Sequence, residues 1–295
     1  MSAAPESSKP ALDDASPVAG VMGWPIAHSK SPQIHGHWLQ TLGLRGDYVP
    51  LAVEPDALER AVSGAWALGL AGFNVTLPHK EAMVGLCAEV SETARAMGAV
   101  NTVWRAEGGW YGTNTDGFGF IENLRSAGGL RPTGPALVLG AGGSARAVVW
   151  SLRAEGYPEI RLANRTLARA EALADDLGRE RLRPIRWSEA EAMSAGCALV
   201  VNTTSLGMTG QPALDISLDT LSAEAVVTDL VYSPLETDLL ARARARGLTA
   251  VDGLGMLLHQ ARPGFEAWFG AKPTVSPALR EAVLRERPIQ GAPPP

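Results

Sequence analysis

Lys80 closes the segment NVTLPHK at positions 74–80, and Asp116 sits in the segment NTDG at positions 114–117. A cation and a carboxylate of this kind can exchange a proton with a reacting oxygen. Reduction of a ketone by hydride transfer builds negative charge on the ketone oxygen, so an acid must donate a proton there, and the reverse reaction needs a base. A lysine held by an aspartate serves both directions without a metal or a covalent intermediate. Each residue also has a plain structural reading. Pro78 can end a strand and start a helix with Lys80 in its first turn, where a lysine opposes the helix dipole; a solvated lysine is the alternative. Asn-x-Asp-Gly is explained by turn chemistry alone.

Other polar side chains fall at spacings that suit a small oxygen-rich ligand. Phe73 to Leu77 alternates apolar and polar, which puts Asn74 and Thr76 on one face of a strand. Ser29 and Ser31 flank Lys30 just before a helix start, where a carboxylate would meet hydroxyls and the positive helix end together. Capping of that helix by Ser31 is the competing account. Asn101 and Thr102 lie in another short strand, and Met256 and Gln260 are four apart on a predicted helix preceded or interrupted by Gly253 and Gly255. Core packing is the bland reading of Met256. The five histidines form no metal pattern, and no G-x-S-x-G nucleophile turn is present.

The turn Gly140-Ala141-Gly142-Gly143-Ser144-Ala145 follows an apolar strand, Ala136 to Leu139, and opens a helix. It fits the dinucleotide form G-x-G-x-x-G/A, in which backbone without Cβ admits a diphosphate and free N–H groups hold its charge. The next strand ends in Ala163-Asn164-Arg165-Thr166 and lacks the acid that holds a free ribose 2′-hydroxyl. Arg165, with Arg169 one turn on, suits a 2′-phosphate instead, so NADP is the expected cofactor. A helix cap by Thr166 beside a solvated arginine is the alternative.

These residues must be positioned by two α/β blocks. The first predicts strands at 18–23, 47–53 and 72–78, helices at 33–42, 55–69 and 79–90, and a hairpin within 99–117. That alternation reads as a mostly parallel sheet. The second block repeats strand and helix from Ala136 to about Gly253 in a doubly wound order. Two further helical stretches end the chain and are expected to pack on the first domain. The expected bounds are a disordered tail at 1–17, a substrate domain at 18–117, a nucleotide domain at 118–251 and returning helices at 252–290.

The composition sets the outer limits. The 295 residues are 46% hydrophobic and 19% charged, with a net charge of −5 and no basic stripe, so neither nucleic acid nor an anionic membrane surface is indicated. No apolar run is long enough for a membrane span, and the N-terminus lacks the pattern of a signal peptide. Cys87 and Cys197 stand far apart, which fits a reducing cytoplasm. Oligomeric state is left open, a homodimer included.

Seven segments, taken together, resemble the shikimate dehydrogenase family and occur in the family's order. They are GWPIAHSKSP (23–32), NVTLPHK (74–80), GAVNT (98–102), NTDG (114–117), GAGGSAR (140–146), NRT (164–166) and DGLGM (252–256). The resemblance covers about residues 18 to 290. It implies reversible reduction of 3-dehydroshikimate to shikimate with NADPH, a step in making aromatic amino acids. It implies Lys80 and Asp116 as the catalytic pair, Ser29 and Ser31 on the substrate carboxylate, and Asn74, Thr76, Asn101 and Gln260 on ring hydroxyls or the lysine. Tyr232 would line the substrate site and Met256 would pack near the nicotinamide. Asn164, Arg165, Thr166 and Arg169 would surround the 2′-phosphate, and Thr203 and Gly253 are counted with the cofactor residues. The chain departs from the family at residues 1–17, Gly36, His79 and Thr203-Thr204. A quinate/shikimate dehydrogenase using NAD, a non-catalytic nucleotide-binding regulator and a methylene-folate dehydrogenase are the rival readings.

Overall fold

The structure, a computed structural model, describes residues 16–285. In chain order the elements are β1 (Val18–Gly23), α1 (Ser31–Thr41), β2 (Asp47–Ala52), α2 (Leu58–Ala67), β3 (Gly72–Val75), β4 (Glu89–Val90), α3 (Glu92–Met97), β5 (Thr102–Ala106), β6 (Gly109–Thr113) and α4 (Asp116–Ser126). There follow β7 (Ala136–Leu139), α5 (Gly143–Ala154), β8 (Ile160–Asn164), α6 (Leu167–Leu177), β9 (Leu182–Arg186), β10 (Leu199–Asn202), β11 (Val226–Asp229), α7 (Asp238–Ala245), β12 (Thr249–Val251), α8 (Leu254–Gln260), α9 (Arg262–Phe269) and α10 (Pro277–Leu284). The chain divides into two compact units, one reaching to Asn114 and resuming at Ala261, the other Thr115–Gln260. Most of the expected tail lies outside the described residues, as do residues 286–290 of the expected C-terminal helices. Pro17 does not belong to a tail, because its carbonyl accepts from the Asp47 N–H at 3.0 Å beside β1 and β2.

The sheet of the first unit runs β2-β1-β3-β5-β6-β4. It is mostly parallel, as expected: β1 pairs in parallel with β2 and β3, and β4 with β6, whereas β3–β5 and β5–β6 are antiparallel. The β5–β6 hairpin follows from connection length. Only Glu107 and Gly108 separate β5 from β6, which suffices for a hairpin and not for a crossover. Alternation divides the side chains between two cores. Met22, Phe73, Val75 and Val103 pack with Val62 and Ala65 of α2, while Ala19, Val21, Tyr48 and Trp104 pack with Trp268 of α9.

The sheet of the second unit runs β12-β11-β10-β7-β8-β9, with every strand parallel to its neighbours. Both faces are covered, so ALVL of β7 and LVVN of β10 are apolar throughout except for the terminal asparagine. The crossover from β10 to β11 contains no α-helix; Leu214, Ile216, Leu218 and Leu221 of that irregular segment fill the core where a helix would pack.

The unit boundaries differ from the sequence expectation at 118 and 252. Asp116 already opens α4, and α8 packs on α4 rather than with the first unit, leaving only α9 and α10 there. Glycines cause this close packing. A Cβ at Gly119 would come within 2.6 Å of Gln260 Cβ and of the Met256 carbonyl oxygen, one at Gly255 would strike the Asn123 amide, and one at Gly117 would strike the Ser151 hydroxyl of α5.

Two helical glycines should therefore respond oppositely to alanine. Gly36 in α1 is exposed with open space around it, so Gly36→Ala should stabilise the first unit by about 0.5–1 kcal/mol through helix propensity. At Gly119 the same propensity gain is outweighed by overpacking, and Gly119→Ala should cost the second unit about 1–3 kcal/mol. Denaturant unfolding of both variants checks the sign, and equal shifts would refute the packing argument.

Candidate active site

In the first unit β3 turns Asn74 away from the core that holds Phe73 and Val75. Asn74 is buried and fully engaged: its Nδ2 donates to the Asn101 carbonyl and to Thr102 Oγ1, both at 3.1 Å, and its Oδ1 accepts from the Tyr48 hydroxyl at 2.6 Å. Thr102 Oγ1 in turn donates to Asn101 Oδ1 at 2.9 Å. These bonds fix which way each amide points. Burial pushes the Tyr48 phenol well above its usual value, opposed by a hydrogen bond with the Ser31 side chain. Tyr48, Ser31, Asn74, Thr102 and Asn101 thus form one polar floor.

Ser31 is the first residue of α1 and does not cap it. Instead Ser29 Oγ accepts the Ser31 N–H at 3.3 Å, because Lys30, already helical in backbone, occupies the cap position. Both serines stay beside the positive end of an 11-residue helix.

Lys80 lies in a turn and not in the first turn of a helix. The expected helix at 79–90 shrinks to a 3-10 stretch, Ala82–Leu86, followed by β4. The carbonyl of Lys80 accepts from the Val100 N–H at 2.8 Å, which ties the turn to the segment before β5. His79 is buried and its Nε2 lies 2.8 Å from the Val53 carbonyl oxygen, which ties the turn down on its other side. Thr76, half-buried, leads into the turn through His79 N–H to Thr76 O at 3.0 Å.

In the second unit Asp116 is the first residue of α4, where the helix dipole favours a carboxylate's charge. Thr115 Oγ1 donates to Gln260 Oε1 at 3.4 Å, and Gln260 Nε2 donates to the Leu257 carbonyl at 3.1 Å. Asp116, Thr115 and Gln260 are thereby brought to one place by the α4–α8 packing. Met256 is partly buried against the core of this unit. Tyr232 is 42% exposed in the segment after β11. Gly253 meets the carbonyl groups of Leu230 and Val231, so its own packing already explains the glycine.

The glycine turn separates into structural and open positions. Gly140 has φ +107° and lies against Thr203, whose N–H and Oγ1 both bond the Leu139 carbonyl, at 2.9 and 2.7 Å. Gly142 and Gly143 are exposed, neither lies in the left-handed region, and a Cβ on either would meet nothing of the protein within 4 Å. The fold itself does not need glycine there, whereas a diphosphate lying on the backbone at the start of α5 does. Ser144 is exposed and Ala145 is buried beneath them. At the end of β8, Asn164 Nδ2 bonds the Thr166 carbonyl at 2.8 Å and Arg165, Thr166 and Arg169 are exposed. The Thr166 hydroxyl makes no cap to α6, which removes the helix-cap account of that residue. The donor set fits a phosphorylated dinucleotide.

Residues 21–103 match the shikimate dehydrogenase substrate binding domain, and residues 131–208 match the shikimate / quinate 5-dehydrogenase domain. A shikimate dehydrogenase (NADP(+)) of Rhodospirillum rubrum is 58% identical over 276 residues, 90% of this chain and 96% of that protein. The chain belongs to the shikimate dehydrogenase family. Among solved members, the Thermus thermophilus shikimate 5-dehydrogenase in complex with NADP(H) and shikimate is 40% identical with a TM-score of 0.78, covering 90% of this chain and 98% of that one. The quinate dehydrogenase of Corynebacterium glutamicum in complex with NAD is 33% identical with a TM-score of 0.83, covering 91% and 99%. The family's two-part α/β plan is the one seen here, a substrate domain followed by a dinucleotide domain.

Sequence reading missed Tyr48 and His35. Tyr48 was readable only as an inward position of a strand, and its bond to Asn74 joins residues 26 apart. His35 is wholly buried, stacked on Tyr48 with ring centroids 3.9 Å apart and boxed by Trp38, Phe265 and Trp268. Burial pushes its imidazole down to about 3 against a smaller opposing effect of Asn74. The unfolded chain takes up a proton near pH 6.5 that the folded chain refuses until about pH 3, so stability is complete above 6.5 and is lost as pH falls. Between pH 7 and pH 5 the native protein should lose ~2 kcal/mol relative to His35→Phe. Parallel stability–pH curves from denaturant titrations would contradict this.

Proposed function

We propose that this chain catalyses the reversible NADP-dependent reduction of 3-dehydroshikimate to shikimate. The observation that supports it best is the polar floor built from Tyr48, Asn74, Asn101 and Thr102 next to the paired serines, in a chain of this family. Such a floor suits a carboxylated ring bearing several hydroxyls. Ser29 and Ser31 hold the carboxylate with the help of the α1 dipole. Asn74, Thr76, Asn101 and Gln260 take the ring hydroxyls, and Tyr232 lines the substrate side.

Lys80 gives its proton to the ketone oxygen as negative charge builds there, and receives it back in the oxidation. Asp116 orients that ammonium and balances its charge. Gly140, Ala141, Gly142, Gly143, Ser144 and Ala145 hold the diphosphate of NADP, and Asn164, Arg165, Thr166 and Arg169 its 2′-phosphate. Thr203, Gly253 and Met256 complete the cofactor side. When bound, NADPH supplies the hydride. No helix among the described residues is long and apolar enough to cross a membrane. Cys87 and Cys197 are free thiols, which supports a reducing, cytoplasmic location. Size-exclusion chromatography tests for a homodimer.

The likeness to a quinate dehydrogenase that holds NAD makes substrate and cofactor choice the first thing to measure. Initial rates with shikimate and quinate, each with NADP and NAD, should be greatest for shikimate with NADP. Lys80→Ala should lose turnover by at least about a hundredfold, the low end for a general acid–base group. Near-native turnover of that variant removes Lys80 from the role; preference for quinate with NAD overturns the substrate and cofactor assignment.

A further inference from the structure

Asn202 and Asp229 end the neighbouring parallel strands β10 and β11 as register partners, at the carboxyl end of the sheet where open α/β folds bind ligands. Both are fully buried. Asp229 Oδ1 accepts from Asn202 Nδ2 at 2.9 Å and from the Val231 N–H at 3.0 Å, and its Oδ2 accepts from Thr237 Oγ1 at 2.8 Å. Thr237 is the N-cap of α7 and itself accepts from the Leu240 N–H. Burial raises the carboxyl of Asp229 above its ordinary value, opposed by these three bonds.

Asn202 passes the constraint on. Its Oδ1 accepts from the N–H and the hydroxyl of Thr204, at 3.0 and 2.7 Å, and its Nδ2 also donates to the Leu206 carbonyl at 3.0 Å. Its own carbonyl accepts from the Leu230 N–H at 3.0 Å. Beyond it, the Thr209 N–H donates to the Ser233 carbonyl at 2.9 Å. Two loops therefore leave the sheet as one hydrogen-bonded body. One carries Thr203, packed against Gly140 of the glycine turn; the other carries Tyr232.

We infer that Asp229 is a positioning residue that sets both loops at once, so that its three bonds fix the cofactor side at Thr203 and the substrate side at Tyr232 together. A carboxylate suits the task because it accepts from three donors and offers none, and hydrogen bonds to a charged acceptor are stronger than neutral ones. The inference rests on the roles proposed above for Thr203 and Tyr232. It makes Asp229 felt in binding, without contact to either ligand.

The test is steady-state kinetics of Asp229→Asn, which keeps the shape and weakens the acceptor. The KM for shikimate and the KM for NADP should rise together, each by about fivefold, in a protein whose circular dichroism matches the native chain. A folded variant in which either KM keeps its native value overturns the inference, since a purely structural carboxylate would lower the melting temperature alone. If Asp229→Asn does not fold, Thr237 decides: Thr237→Val should raise both KM values and Thr237→Ser should restore them, and a kinetically native Thr237→Val overturns the inference. Native protein run in the same assay separates the two readings. Absence of shikimate turnover there refutes the proposed function; native turnover with unchanged variants refutes the role of Asp229.

Discussion

A lysine delivers a proton to one chosen oxygen only if its main chain cannot drift, and the hydrogen bond from the Val100 N–H to the Lys80 carbonyl imposes that restraint. The segment after Pro78 is a turn that leads into a 3-10 stretch. The Val100 bond fastens Lys80 to the segment that carries Asn101 into β5. The Asn101 carbonyl receives the N–H of Val75 at 2.9 Å and the side chain of Asn74 at 3.1 Å. The main chain at Lys80 and the polar floor are thus parts of one hydrogen-bonded framework.

The second unit solves the equivalent problem by close packing. Asp116 opens a helix whose glycines let α5 and α8 approach to backbone distance, which brings Gln260 to Thr115. The central strands β7 and β10 beneath are apolar along their length up to the closing Asn202, and Asn164, Asn202 and Asp229 lie at the ends of their strands. A buried carboxylate there is tolerable because three donors meet it.

Much of this was legible in the residues themselves. The alternation in Phe73–Leu77 gave the facing of Asn74, and ALVL followed by GAGGSA gave a strand, a turn and a helix in the right order. Local pattern failed wherever a distant bond decided the outcome. Where a helix was expected at 79–90 there is a turn and a 3-10 stretch, and the Lys80 carbonyl is bonded to Val100, 20 residues away in sequence. The cap expected at Ser31 was displaced by one residue because Lys30 adopts helical backbone. The boundaries at 118 and 252 were misplaced because glycine contacts between α4 and α8 have no signature in either segment alone. Tyr48 and His35 belong to the same class. Their surroundings come from α1, β2, β3 and α9 at once, and no window of sequence contains all four.

Chemical rescue probes whether the amine at position 80 carries the proton to and from the substrate oxygen. Lys80→Ala would be assayed with shikimate and NADP in rising concentrations of small primary amines. Activity should return in proportion to amine concentration, and tetramethylammonium at the same ionic strength should restore nothing. Equal recovery with both salts, or no recovery with any amine in a variant that still binds shikimate and NADPH, would contradict it.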